Sequence, residues 1–563
     1  MRILLVASAF NSLTQRVHTE LRSLGHTVGV ELALGDDPVR AAVARFEPDL
    51  ILAPMLTRAI PEDVWSTRPV LIVHPGPKGD RGPSSLDWAI HENAAEWGVT
   101  VLQAVAEMDA GPIWASVPFT VHPCGKSELY RNEVADAAVE AVLLAVERFA
   151  SGWYRPEPLD YARWDVNGRL RPYHTQEFRR IDWAVDDTAT VLRKLRSADS
   201  QPGVLDAIHG REYFLHGGHR EDELRGRPGA VLATRDGAIC LGTVDGAVWI
   251  AQLRPRKVPG GPATYKLPAA QVLAEWLVGV PEIPVTPVEA AHRDTWSEIR
   301  YREDGEVGFL EFAFPSGAMS TDQCRRLLAA YREAAARPTS VLVLGPARDF
   351  YSNGIHLNVI EAAADQGEES WRNINAMDDL VEAILTTTDK VTVSALAGNA
   401  AAGGVMLAIA ADEVWCRASA VLNPHYRLMG LYGSEYWTYS LPRRVGAAQA
   451  ERLTTAALPV GAREAAALGL VDRARAGSAA EFRAWTAAEA ARLARSPELG
   501  ERLLAKKRRR AEDEAAKPLA WYRAEELERM RRNFFAADEP YHGLRRNFVH
   551  KVCPTGTPEH LRG

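Results

Sequence analysis

The sequence predicts an α/β protein in several parts: a doubly wound parallel sheet first, a small β-barrel next, a second α/β unit, and a helical tail. Three observations carry this reading. Short apolar runs alternate with amphipathic stretches over residues 1–155, and such alternation puts helices on both faces of a mostly parallel sheet. Asp-Gly and Pro-Gly pairs punctuate short runs between residues 180 and 290, as hairpins require, because glycine adopts positive φ freely. Strand-like runs restart near residue 296 and give way to long charged helices. At 563 residues the chain exceeds what one core organises, so several domains are expected.

In chain order, residues 2–8, 27–33, 49–53, 70–74 and 99–104 read as buried strands, with helices at 14–24 and 37–46. Ligands on such sheets bind outside the carboxyl ends of the strands. That singles out Asn11, Thr14 and Gln15 after the first strand, and the segment after Val73. Pro156, Pro158, Asn167-Gly168 and Arg171-Pro172 make 156–172 a linker of turn formers. A helix at 188–197 precedes short strands divided by Pro228-Gly229, Asp236-Gly237 and Asp245-Gly246, and 281–287 is a second linker. Strands at 306–312, 340–344 and near 391–395 open the last α/β unit, and 479–535 is helical and heavily charged. The expected domains are 1–165, 175–285 and 296–475, with a helical extension over 476–563.

Composition narrows the function classes. A formal net charge of -7, from 66 basic and 73 acidic residues, argues against a dedicated nucleic-acid binder, which needs surplus Lys and Arg to displace phosphate counterions. Five cysteines without a CxxC pair or metal-ligand spacing exclude a disulfide framework and predict no metal site. The opening apolar run is broken by Asn11 and Ser12, too early for a signal peptide, and nothing reaches the ~20 apolar residues of a membrane span. A cytoplasmic location is expected.

In the first domain the informative residues are His74, in Val73-His74-Pro75-Gly76-Pro77, and Asp109, in Met108-Asp109-Ala110-Gly111-Pro112. A carboxylate that holds a strand-end imidazole fixes its tautomer and makes it an acid/base partner. Residues 71–109 resemble the 10-formyltetrahydrofolate transformylases, above all methionyl-tRNA formyltransferase. Arg180-Ile181-Asp182-Trp183 is similar to the opening of that family's C-terminal barrel, and Ser127-Glu128-Leu129-Tyr130 to a helix of its first domain. The resemblance covers about 1–285 and implies a formyltransferase-type fold, followed by an OB-like barrel. It makes His74 the acid/base and oxyanion partner and Asp109 its orienter, and Asn11, Gln15 and Arg131 candidates for folate contact. One position departs: the family's Asn two residues before the His is Ile72 here. Loss of such an oxyanion donor costs about 10²–10³ in rate.

In the second α/β unit a strand at 340–344 delivers Tyr351-Ser352-Asn353-Gly354-Ile355, and a second delivers Gly398-Asn399-Ala400-Ala401-Ala402-Gly403-Gly404. Two backbone N–H groups at such turns can converge on a thioester oxygen, and glycine allows the close approach. These turns, with Leu441-Pro442-Arg443-Arg444-Val445-Gly446, resemble the crotonase (enoyl-CoA hydratase/isomerase) superfamily over about 300–475. The resemblance implies a crotonase-type α/β spiral with oxyanion N–H groups on Ile355 and Gly403, and coenzyme A contacts at Ser352, Gly354 and Gly404. The two hydratase glutamates would fall near Met406 and near His425 or Tyr426, so ordinary hydration is not expected. Tyr426 and Glu435 remain as the expected proton-handling pair. Lys506 to Arg510, Arg545 and Arg546 are the basic residues available to coenzyme A phosphates, although a charged run of this kind more often forms a solvated helix face.

Joined in one chain, the two altered halves resemble a family of hydrogenase maturation factors. What that implies is transfer of formyl from 10-formyltetrahydrofolate to coenzyme A, then decarbonylation of formyl-CoA to the carbon monoxide ligand of a nickel–iron hydrogenase. Holding both halves in one chain keeps a reactive thioester out of water, so an internal passage wide enough for the pantetheine arm is expected, and the resemblance implies contact with hydrogenase large-subunit assembly proteins. Two alternatives stay open: an acyl-CoA hydratase or isomerase fused to a transformylase, and a non-catalytic one-carbon carrier or assembly chaperone.

Overall fold

The computed structural model describes residues 1–562. The first sheet has the order β2-β1-β3-β4-β5-β6, with β1 Arg2–Ala7, β2 Thr27–Leu32, β3 Leu50–Ala53, β4 Val70–His74, β5 Glu96–Gln103 and β6 Ile113–Thr120. The first four strands are parallel, and their two faces fill two cores. Ile3, Leu5, Leu50 and Leu52 pack with the helices Ser12–Ser23 and Ala135–Ser151; Leu4, Val6 and Ile51 pack with Val39, Ala42 and Phe46. Burial on both faces is why these strands read as unbroken apolar runs. At one edge of this parallel sheet β5 and β6 run antiparallel. The last strand, β6, escaped the sequence reading because its burial fades after Ala115 and it contains Pro118, which an edge strand tolerates.

A second sheet has the order β7-β8-β11-β10-β9, with β12 paired to β11; its strands are Val204–Ile208, Arg211–Glu221, Val231–Arg235, Ala238–Gly242, Ala247–Pro255 and Leu267–Pro268. Asp236 and Gly237 both have positive φ (48° and 78°), so this pair forms the tight hairpin turn the sequence predicts. Asp245-Gly246 lies in the four-residue loop that joins β10 to the antiparallel β11, and Asp245 Oδ1 also accepts from Thr188 N at 2.8 Å.

The third sheet runs Ile299–Asp304, Val307–Phe312, Val341–Leu344, Val391–Leu396, Glu413–Arg417, Arg473–Arg475. Its first two strands are antiparallel and the rest parallel. The helix Ala479–Ala494 covers one face through Phe482, Ala490 and Leu493. On the other side Leu519, Met530 and Phe534 of the helix Leu519–Phe535 join the largest core, with Met377, Met406 and Tyr426. The C-terminus then returns to the first sheet, where Thr557 Oγ1 accepts from Leu32 N at 2.8 Å and donates to Glu31. Ion pairs join the first and third sheets' regions: Arg131 grips Asp349 with two bonds of 2.7 and 2.6 Å, Arg348 holds Glu128 and Glu133, and Arg417 holds Asp136. Among the described residues no helix is long and apolar enough to cross a membrane.

Two candidate active sites

His74 ends β4, and the loop 104–112 between β5 and β6 brings Asp109 against it, with Nδ1 3.6 Å from Asp109 Oδ2. Asp109 sits at φ 55°. The ring's other nitrogen, Nε2, is 2.9 Å from Asp80 Oδ2, a residue the sequence reading passed over. Asp80 is fully buried and its Oδ1 accepts from Arg171 Nε at 3.0 Å; Arg171 reaches on to Glu92. Residues 156–172, read as a linker, therefore supply a buried cation behind the imidazole. Gly76 must lack a side chain, since a Cβ there would overlap both Asp80 Oδ2 and His74 Nε2. Ile72, in the place of the transformylase Asn, packs into the apolar cluster with Leu4, Val6 and Ile51.

The other first-domain candidates have structural partners. Asn11 Oδ1 caps the helix Ser12–Ser23 by accepting from Thr14 N at 3.0 Å, and its Nδ2 donates to Tyr130 Oη at 3.2 Å. Gln15 Nε2 donates to Phe10 O at 3.0 Å. Arg131 lies under Phe350 and on Asp349, so in this conformation it ties the two halves together. Ser12, Arg131, Arg348, Phe350, Asn399 and Arg417 line a cleft at this junction that holds about 20 Å³, room for one water.

At the second site the two glycine turns meet. The position of a Cβ on Gly354 (φ 78°) lies 3.3 Å from Gly403 N. Ala402, at φ 47° and ψ -129°, turns the chain into the helix Gly403–Ile409. Ser352 is fully buried, and its Oγ accepts from Gly354 N at 3.1 Å. Gly404 packs so tightly on Ser352 that a Cβ would overlap its carbonyl oxygen. At Gly403 a Cβ would overlap Glu435 Oε1: the carboxylate rests against the glycine whose N–H was expected to hold a carbonyl oxygen. Tyr426 Oη donates to Glu435 Oε2 at 2.8 Å, and the Tyr426 ring packs on Gly433, where a Cβ would stand 2.7 Å from it. Burial first, and the charge of Asp378 second, push the Glu435 carboxyl up to about 8. Burial and Glu435 push the Tyr426 phenol well above its usual range. Met406, at a hydratase glutamate position, is fully buried in the core.

The basic candidates divide. Lys506 is internal, bonded to Asp412 at 2.6 Å and to Lys390 O at 2.9 Å, so it is committed to the fold. Neither phosphate binding nor a solvated face describes it. Arg545 is buried, pairs with Glu361 at 2.7 Å, and leaves its Nη1 without a partner. Arg546 is largely exposed, 3.7 Å from Glu361.

Three family models match the chain: formyl transferase over residues 27–146, the formyl transferase C-terminal domain over 174–261, and enoyl-CoA hydratase/isomerase over 313–552. The hydrogenase maturation factor HoxX of Bradyrhizobium diazoefficiens is 50% identical over 564 residues, covering 100% of this chain and 97% of that protein. A methionyl-tRNA formyltransferase of Roseiflexus castenholzii is 27% identical over 237 residues, covering 41% of this chain and 74% of that protein. The crystal structure of HypX from Aquifex aeolicus in complex with tetrahydrofolic acid superposes with a TM-score of 0.96 at 45% identity, covering 100% of this chain and 98% of that one.

Proposed function

The chain belongs to the family of the hydrogenase maturation factors HoxX and HypX, and from that premise we propose that its two sites act in series to make carbon monoxide. The first site takes 10-formyltetrahydrofolate and coenzyme A as substrates. The thiol sulfur attacks the formyl carbon, the C–N10 bond breaks, and His74 carries the thiol proton to N10, giving formyl-CoA and tetrahydrofolate. Asp80, 2.9 Å from Nε2, and Asp109, 3.6 Å from Nδ1, flank the ring at its two nitrogens, which fixes its plane.

At the second site the N–H groups of Ile355 and Gly403 hold the formyl oxygen. Glu435 takes the formyl proton, the C–H electron pair stays on carbon as the C–S bond breaks, and Tyr426 with Glu435 returns the proton to sulfur. The products are carbon monoxide and coenzyme A, and no oxidant or reductant is consumed. A general base works best with a pKa near the working pH, and Glu435 at about 8 is close to it. Asn11, Gln15 and Arg131 are the folate-side candidates. Ser352, Gly354, Gly404, Arg545 and Arg546 are those for coenzyme A, with the unpartnered Arg545 Nη1 suited to a phosphate. Passage of the pantetheine arm between sites requires the Arg131–Asp349 junction to open. Delivery to iron implies contact with hydrogenase assembly proteins in the cytoplasm.

The observation that carries this reading is the Glu435 carboxylate, bonded to Tyr426 and resting on Gly403, where a hydratase would place other groups. The test is anaerobic incubation with 10-formyltetrahydrofolate and coenzyme A, reading carbon monoxide by deoxyhaemoglobin absorbance. Release by the unaltered protein that is lost in Glu435→Gln supports the relay. Turnover of crotonyl-CoA would indicate a hydratase, and binding without any product a carrier.

A further inference from the structure

The loop that presents Glu435 is built against its own preferences. Glu435 and Tyr436 are consecutive non-glycine residues at φ 60° and 57°, a left-handed conformation that a Cβ disfavours and that persists only where surrounding structure enforces it. The enforcement comes from side chains of two helices. From the helix Gln366–Thr386, Asp378 Oδ1 accepts from Glu435 N at 2.8 Å, and both Asp378 oxygens lie within 3.0 Å of Ser434 Oγ. From the helix Leu519–Phe535, Glu526 accepts from Tyr436 N at 3.0 Å and from Thr438 N at 2.8 Å, one with each oxygen. Asn533 and Met530 of the same helix take Tyr432 N and Gly433 N at 3.0 and 3.3 Å. Asp378 and Glu526 are both fully buried.

We infer that Asp378 and Glu526 are positioning residues for decarbonylation, holding Glu435 against the Gly403 turn, and that the C-terminal helix Leu519–Phe535 is thereby a working part of the second site. This inference rests on the reading of Glu435 as the base.

The placement carries an electrostatic consequence. Three carboxylates share one buried cluster, and the guanidinium nearest to it, Arg523, stands 3.8 Å from Asp378 while binding Asp379 and Glu382 at 2.7 and 3.3 Å. The remaining titratable groups around Glu435 are Tyr426, which donates to it, and Cys324 and Tyr436, both held protonated by burial. Burial raises all three carboxyls, Asp378 to about 7 and Glu526 to about 8, and Asp378 adds to the rise at Glu435.

Two substitutions separate the roles. In Asp378→Asn the amide oxygen can keep the bond to Glu435 N while the charge is gone. Glu435 must be ionised to accept a proton, so its rate rises with pH through its pKa. Removing the neighbouring charge moves that limb to lower pH, by on the order of one unit. In Glu526→Gln one oxygen must serve two backbone donors, and the loop loses its hold. Carbon monoxide release from supplied formyl-CoA is measured against pH, with tetrahydrofolate formation by the first site of the same molecules as the folding control. The expected result is a limb shifted to lower pH in Asp378→Asn, a rate at least about tenfold lower in Glu526→Gln, and an unchanged first site. A Glu435→Gln chain that still releases gas would overturn the reading of Glu435 itself. A dead Glu435→Gln beside Asp378→Asn and Glu526→Gln chains of unaltered rate and pH profile would overturn this inference alone. If Glu526→Gln fails to fold, the Asp378→Asn profile decides.

Discussion

Around His74 the buried carboxylate Asp80 has an imidazole on one oxygen and the Arg171 guanidinium on the other, whereas around Glu435 three carboxylates crowd together with Arg523 off to one side. The first arrangement is balanced charge, and the second is like charge held in place by the fold. Balanced charge fixes a ring in one orientation. Crowded carboxylates keep a proton within reach near neutrality, as a group that must take a proton and give it back requires. The difference between the sites thus suits the two proposed steps, one that would carry a proton across a nucleophilic displacement and one that would remove a proton from carbon.

The comparison is broken most sharply at Gly403. A Gly403→Ala Cβ would overlap Glu435 Oε1, so carbon monoxide release should fall by about 10²-fold or more while tetrahydrofolate formation stays as it was, both read in one assay. At the first site Asp80→Asn removes the anion between His74 and Arg171. Both partners are nearly inaccessible, and breaking a buried pair costs about 3–5 kcal/mol, which denaturant unfolding would register as a lower midpoint. The same cost is not expected for Asp378→Asn, which relieves like charge. A further effect is on pH dependence. Glu435 and Glu526 bind protons more tightly folded, near 8, than at their ordinary 4.5. Stability from them is complete below about 4.5 and is lost as pH rises to about 8. The thermal midpoint should fall over that window, and fall less in Asp378→Asn.

Much of this was legible in the residues. The strands of the first sheet are continuous apolar runs because both faces are covered, and Tyr426 and Glu435 stood out as the polar residues left in a glycine-rich pocket segment once the hydratase glutamates were absent. Asp80 was missed because it lies in a Gly79-Asp80-Arg81 turn that looks like surface. Its burial depends on Arg171, 91 residues away. An acid six residues beyond a strand-end histidine was the available signal. Glu526 was missed for a different reason. It sits in Arg523-Ala524-Glu525-Glu526-Leu527-Glu528-Arg529, a charged helix by composition, and only tertiary packing decides which of three glutamates turns inward. The pairing of Arg131 with Asp349 could not be read because the two are 218 residues apart.

Series action of the two sites is tested most directly by supplying formyl-CoA to a His74→Ala chain. The relay predicts carbon monoxide at the unaltered protein's rate from formyl-CoA, none from 10-formyltetrahydrofolate with coenzyme A, and the accumulation of formyl-CoA in a Glu435→Gln chain given the latter substrates. A His74→Ala chain that cannot release carbon monoxide from formyl-CoA, while still folded, would contradict it.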